Sequence, residues 1–177
     1  MTFLKSLELV LKSEGGFSNH KEDGGGATNF GVTQKTWEDW VGHPVSEADM
    51  KSLTIEKITP LYKMKYWNPA YCDVLQEGLN YAVFDCAVNM GTGRAIKTLQ
   101  QAVGCVPDGV IGPRTIERIN ALPVELILEK FSNEKRIFYQ GLKNFPTFGK
   151  GWLNRVEEVK KNALAMVNAD KQPKQTP

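Results

Sequence analysis

A helical apolar stripe that ends on a carboxylate constrains this chain more than any other feature. Phe3, Leu7, Val10 and Leu11 recur at spacings of three and four, the pattern of an amphipathic helix with one buried face. One further step along the stripe lands on Glu14, and Gly15-Gly16 follow at once. Burial disfavours the ionised form of a carboxyl group, so an acid set there suits proton donation near neutral pH. The residues alone also allow a plainer reading, a helix ended by Gly15 with Glu14 exposed in its last turn.

An acidic, glycine-rich loop comes next. Asp23 follows Glu14 after eight intervening residues, and Thr28 follows Asp23 after four. Gly24, Gly25 and Gly26 permit close approach of backbone to a ligand. An acid, a second carboxylate and a hydroxyl on one loop suit glycoside hydrolysis, where one group protonates the leaving oxygen and another handles water or the glycosyl cation. An ordinary mobile turn, with Asp23 as its capping residue, is the alternative. His20, in the same segment, reads as an exposed loop residue.

Glu14-Gly15-Gly16-Phe17 and Gly25-Gly26-Ala27-Thr28-Asn29-Phe30-Gly31-Val32-Thr33 resemble the signature of glycoside hydrolase family 108, the phage and bacterial N-acetylmuramidases. The likeness continues through Tyr66-Trp67, Phe84-Asp85, Asn89-Met90-Gly91, Asp108–Thr115 and Phe148–Arg155. The later part is similar to a peptidoglycan-binding region of such proteins. The resemblance implies an all-α, two-lobed, lysozyme-like fold. It also implies cleavage of the β-1,4 bond between N-acetylmuramic acid and N-acetylglucosamine, with Glu14 as the catalytic acid and Asp23 stabilising charge or orienting water. No metal and no cofactor are implied. Phage lysozymes of a neighbouring family place Glu, eight residues, Asp, five residues, Thr; the shorter second interval here sets Thr28 apart from that pattern.

Asn29, Phe30, Tyr66, Trp67, Asp85 and Asn89 complete the expected site as substrate-binding residues. Phe30, Tyr66 and Trp67 offer aromatic faces to sugar rings. Asp85 and Asn89 share one face of an apolar helix, and polar groups there either face a cleft or hydrogen-bond within the core. Two rival activities share these residues. A lytic transglycosylase would use one acid and release an anhydro product. A noncatalytic murein-binding or secretion-assisting protein would keep the fold without the chemistry.

The 177 residues, 41% apolar and 24% charged, are ordinary globular proportions. No apolar run reaches the length of a membrane span, and Lys5, Glu8 and Lys12 interrupt the first apolar residues, so no secretory signal is expected. The expectation is synthesis in a bacterial cytoplasm and access to murein through a pore formed by another protein. Cys72, Cys86 and Cys105 lack framework spacing and read as reduced, mostly buried thiols. Two histidines, His20 and His43, make a histidine-rich zinc site unexpected.

The net charge of +2 conceals an asymmetry. Residues 1–129 carry 12 basic and 16 acidic side chains, and residues 130–177 carry 10 and 4. A basic terminal third suggests attraction to an anionic envelope surface, with Lys150, Arg155, Lys160 and Lys161 on its outer side; dispersed, solvated lysines are the alternative. Without a recognition-helix cluster, nucleic acid is not an expected partner. A monomer is expected.

Helix signals dominate the rest. Thr2–Glu14 is the first helix, and Asn29–Thr33 is a short strand or extended link. Thr33 caps a helix carrying Trp37 and Trp40, both expected in the core with Trp152, and ended by Gly42 and Pro44. Ser46 and Asp49 form a capping pair, and Thr54 opens a helix toward Tyr66-Trp67 that Pro60 kinks or divides. Further helices are expected over Leu79–Met90, Arg94–Val103, from Pro113, from Pro123 to about Leu142, and through Trp152 to Val167. Phe145–Phe148 reads as a link. The expected organisation is a catalytic region over 1–91, a helical peptidoglycan-binding-like region over 92–169 packed into one unit with it, and a disordered tail over 170–177.

Overall fold

The computed structural model of the chain describes residues 2–14, 16–18 and 26–171. Among them are nine α-helices and a single two-stranded hairpin, which is the all-α class expected. The chain divides into two compact units at Lys65/Tyr66, inside the 1–91 region expected to be catalytic.

In the first unit, helix α1 (Thr2–Glu14) buries Leu7, Val10 and Leu11, as its stripe requires. Strands β1 (Thr28–Asn29) and β2 (Val32–Thr33) pair antiparallel, so the anticipated extended segment is a hairpin. Thr28 also exchanges two backbone hydrogen bonds of 2.8 Å with Ser18. Helices α2 (Gln34–Val41), α3 (Glu47–Lys51) and α4 (Ile55–Tyr62) start on Thr33, on a reciprocal Ser46/Asp49 capping box and on Thr54. Each cap accepts from a helix-end N–H that would otherwise lack a partner.

Helix α4 packs against α1 and buries Ile58, Leu61 and Tyr62. Pro60 does not divide it. Glu56, whose carbonyl loses a partner to the proline, is exposed, so water can take the place of the missing bond. The backbone then widens into a π turn over Lys63–Trp67. Helix α2 buries no side chain; Trp37 is half-buried and Trp40 is 36% exposed, contrary to the core positions expected for both.

The second unit is built on α5 (Leu79–Met90), buried from Leu79 through Ala87. Helices α6 (Thr92–Ala102), α8 (Val124–Gln140) and α9 (Phe145–Lys171) pack around it, and α8 and α9 lie along each other. Between α6 and α8, α7 (Pro113–Asn120) opens on Pro113, where a missing N–H is harmless. The link expected at Phe145–Phe148 is instead the first turn of α9. Pro146 is tolerated that early in a helix, and Gly149 makes room rather than a break: a Cβ there would lie 2.6 Å from the Phe145 ring. Helix α9 continues through Asp170 and Lys171, which therefore do not belong to a disordered tail. Residues 172–177 lie outside the described residues.

The charge asymmetry is largely neutralised by folding. Arg136 pairs with Glu157, Lys160 with Glu129 and Glu157, and Lys171 with Glu125. Lys135 and Arg155 both pair with Asp85. Acids of the first 129 residues thus meet bases of the last 48. Arg155 and Lys160 are committed to these partners and leave the free basic face assigned to them; Lys143, Lys150 and Lys161 remain exposed.

Cys72 and Cys86 are buried and Cys105 half-buried. Burial pushes the Cys72 thiol well above the usual cysteine range and the Cys86 thiol up to about 11. Since the thiolate is the reactive form, a maleimide should label Cys105 in the folded protein and reach the other two only on unfolding. Rapid labelling of all three without denaturant, followed by mass spectrometry, would contradict this packing.

Candidate active site

Within the first unit, the end of α1, the apex of the hairpin and the end of α4 come together. The Asn29–Val32 pairing leaves Phe30 and Gly31 as a two-residue loop with φ of 50° and 73°, the signature of a type I′ turn. Left-handed backbone costs an L-residue roughly 1–2 kcal/mol. Strain of this kind persists where surrounding groups impose it. Tyr62, 1% exposed at the end of α4, is one such group, and its hydroxyl donates to the Phe30 carbonyl at 2.7 Å.

Gly31 shows what the turn is pressed against. A Cβ on it would lie 2.9 Å from Tyr62 Oη, 3.1 Å from Glu14 Oε2 and 3.2 Å from Glu14 Cβ. The left-handed φ and the lack of space both demand glycine. Glu14 is half-buried: the stripe of α1 delivers it to the border of the core, part sheltered and part open to solvent. That placement lies between the two readings the sequence left open.

The hairpin sorts the remaining candidates of this unit. Asn29 is 5% exposed and its amide donates to the Met50 carbonyl at 2.9 Å. It ties β1 to α3, and its burial removes it from the substrate-binding set. Thr28 is half-buried, its backbone engaged with Ser18. Phe30 stays partly exposed at the apex. Asp23 and His20 lie outside the described residues.

Tyr66, Trp67, Asp85 and Asn89 belong to the second unit. Tyr66 is half-buried. Trp67 is 1% exposed, its indole N–H donates to Asp73 at 2.7 Å, and its ring meets Phe84 edge-on at 5.4 Å. A ring so enclosed has no face for a sugar, so Trp67 is a core residue. Trp152, expected in the core, is half-buried and stacks on Tyr139 at 5.1 Å.

Asp85 is likewise internal, at 1% exposure. It accepts from Lys135 Nζ at 3.2 Å and from Arg155 Nε and Nη2 at 3.1 and 2.8 Å. Asn89 turns back onto the Asp85 carbonyl at 2.8 Å. Asp85 therefore leaves the substrate-binding set, as the hub of an ion cluster joining α5, α8 and α9, whereas Asn89 is exposed near the end of α5 and stays a candidate. Burial opposes the charge of Lys135, but the Asp85 carboxylate, Cys86 and Tyr139 together offset that cost and hold the ammonium pKa above the usual 10.5. The stability Lys135 contributes is present below that range and is lost as the pH rises through the raised pKa.

Among the described residues, no three His, Cys, Asp or Glu side chains converge as a metal site would require. Sequence reasoning missed Tyr62 because its spacing with Ile58 and Leu61 marks only a core stripe. The remaining signal was chemical, since a buried phenol needs a hydrogen-bond partner. It also passed over Tyr71, 47% exposed with φ 57°.

Residues 7–91, which hold Glu14, the hairpin and Tyr62, match the family model described as Glycosyl hydrolase 108. A solved structure, "Structure of Brucella abortus SagA", is similar over the whole fold, with a TM-score of 0.81 and 41% sequence identity, covering 93% of this chain and 95% of that one. The chain belongs to glycosyl hydrolase family 108. No curated protein matches it. Family 108 comprises N-acetylmuramidases acting on peptidoglycan, and membership makes the helical, lysozyme-like fold that of a glycoside hydrolase. The family match extends past Lys65/Tyr66 and ends one residue beyond α5.

Proposed function

We propose that this chain hydrolyses the β-1,4 bond between N-acetylmuramic acid and N-acetylglucosamine in peptidoglycan, as a lysozyme-type endolysin, with Glu14 as general acid. The observation that carries the reading is the contact between the Glu14 carboxyl and the strained Phe30–Gly31 turn, inside the segment matched to the family. In this reading Glu14 protonates the glycosidic oxygen as an oxocarbenium-like centre develops, and water completes the hydrolysis. Asp23 stabilises that centre or orients the water. The reading includes synthesis in a bacterial cytoplasm and passage to murein through a separate pore. Any hold on anionic envelope falls to Lys143, Lys150 and Lys161 rather than to the paired Arg155 and Lys160.

Mass spectrometry of digested, purified peptidoglycan tests the reading. Fragments ending in reducing N-acetylmuramic acid are expected. Anhydro ends would make the protein a transglycosylase, and undigested murein a binding protein.

Gly31→Ala probes the contact itself. The methyl group must displace either the Tyr62 hydroxyl or the Glu14 side chain, so turnover should fall about 10- to 100-fold, as small misplacements of catalytic groups do. The left-handed backbone adds a stability loss of roughly 1–2 kcal/mol. Parental turnover in the folded variant would show that the turn can withdraw from Glu14 without consequence.

A further inference from the structure

We propose that Tyr62 is a positioning residue for Glu14: by holding the Phe30 carbonyl, its hydroxyl keeps the Phe30–Gly31 turn seated against the acid. The inference rests on the assignment of Glu14 as general acid. Its own grounds are geometric. Tyr62 Oη and Glu14 Oε2 both lie about 3 Å from the same point, the place a Gly31 Cβ would occupy. Glu14 and Tyr62 therefore converge on the face of the turn where Gly31 lacks a side chain. Phenylalanine does not favour the left-handed region on its own, and the 2.7 Å hydrogen bond from Tyr62 is a specific contact holding Phe30 there.

The phenol is also well placed to hold a fixed position. Tyr62 closes α4, on the same buried stripe as Ile58 and Leu61, where α4 packs against α1. The helix that carries the acid and the helix that carries its brace are thus packed together. A turn freed from Tyr62 could relax toward ordinary backbone angles, and Glu14 would lose the wall that limits its rotamers. A general acid works only when its proton lies on the path to the leaving oxygen.

The test is Tyr62→Phe, which keeps the ring and removes the hydroxyl. Two probes are compared by kcat/KM: a soluble murein glycan oligomer, whose sugar leaving group needs protonation, and a dinitrophenyl glycoside of the same sugar, whose leaving group does not. The variant should lose about 10-fold or more on the oligomer, because an ångström of misplacement can cost on the order of 100-fold. Its loss on the aryl glycoside should be several times smaller. The ratio of the two activities in one preparation does not depend on how much of the variant is folded. An equal loss on both probes, or no loss on either, would overturn the proposal and leave Tyr62 a packing residue. Glu14→Gln, run in parallel, must show the same discrimination more strongly. If it does not, Glu14 is not the acid and both assignments fall; if it does and Tyr62→Phe does not, only the role of Tyr62 falls.

Discussion

Glu14→Gln is expected to lower kcat on murein glycan by about 10²–10⁴-fold, the range in which general acid–base assistance falls. In activation free energy this is about 2.7–5.4 kcal/mol. The substitution is nearly isosteric, so the amide should still rest against Gly31 and the hairpin should keep its shape. Because Glu14 is half-buried rather than enclosed, solvent can reach the amide that replaces the carboxyl. The variant should therefore melt close to the parent and bind the glycan with similar KM. An interaction made only in the transition state appears in kcat and kcat/KM together. Circular dichroism with steady-state kinetics on soluble glycan decides the matter. A folded variant with near-parental turnover would remove Glu14 from the mechanism.

The half of this site that lies on α1 was legible in the sequence, because helical periodicity reports which residues share a face. Phe3, Leu7, Val10, Leu11 and Glu14 declared both the buried stripe and its acidic end. Capping residues were equally readable at Thr33, Ser46/Asp49 and Thr54, since a helix start needs a local acceptor at a fixed offset. The hairpin turn was not. Its apex is Phe30-Gly31, whereas the recognisable I′ signal is Asn-Gly or Asp-Gly. What stabilises Phe30 there is Tyr62, 32 residues away, and no local pattern carries a contact of that span.

Polar residues in apolar helices were the other blind spot. Asp85 lies on an almost wholly buried helix and Lys135 on the buried face of α8, beside Phe131, Ser132 and Tyr139. Of the two, only Asp85 stood out in the sequence as a charge out of place. Read singly, a buried acid suggests a cleft; read with the cations that α8 and α9 bring to it, the same acid is internal structure. Pairing over 50 and 70 residues is a property of the fold. The exchange of acids and bases between the two ends of the sequence has the same origin, which is why a basic terminal third did not become a basic face.

Asp85→Asn should destabilise the second unit by about 3–5 kcal/mol, the usual result of removing one partner from a buried ion cluster. The amide preserves shape, but it takes from Lys135, 3% exposed, the carboxylate that balances its charge, and from Arg155, 19% exposed, an anionic partner. Lys135 would then have to give up its proton or pull α8 away from α5. A melting-temperature loss of roughly 6–20 °C follows for a chain of this size. Asp85→Leu combined with Lys135→Met should recover much of that loss, because apolar replacement of a buried pair is often neutral or stabilising. Arg155, already part exposed, can turn its head toward water along its aliphatic stem. The alternative role for Asp85, contact with substrate, predicts the opposite pattern: a raised KM at unchanged melting temperature, with no rescue by the second substitution. Thermal melts and glycan kinetics on the single and double variants separate the two. An Asp85→Asn protein that melts with the parent would show that the cluster does not hold α5, α8 and α9 together.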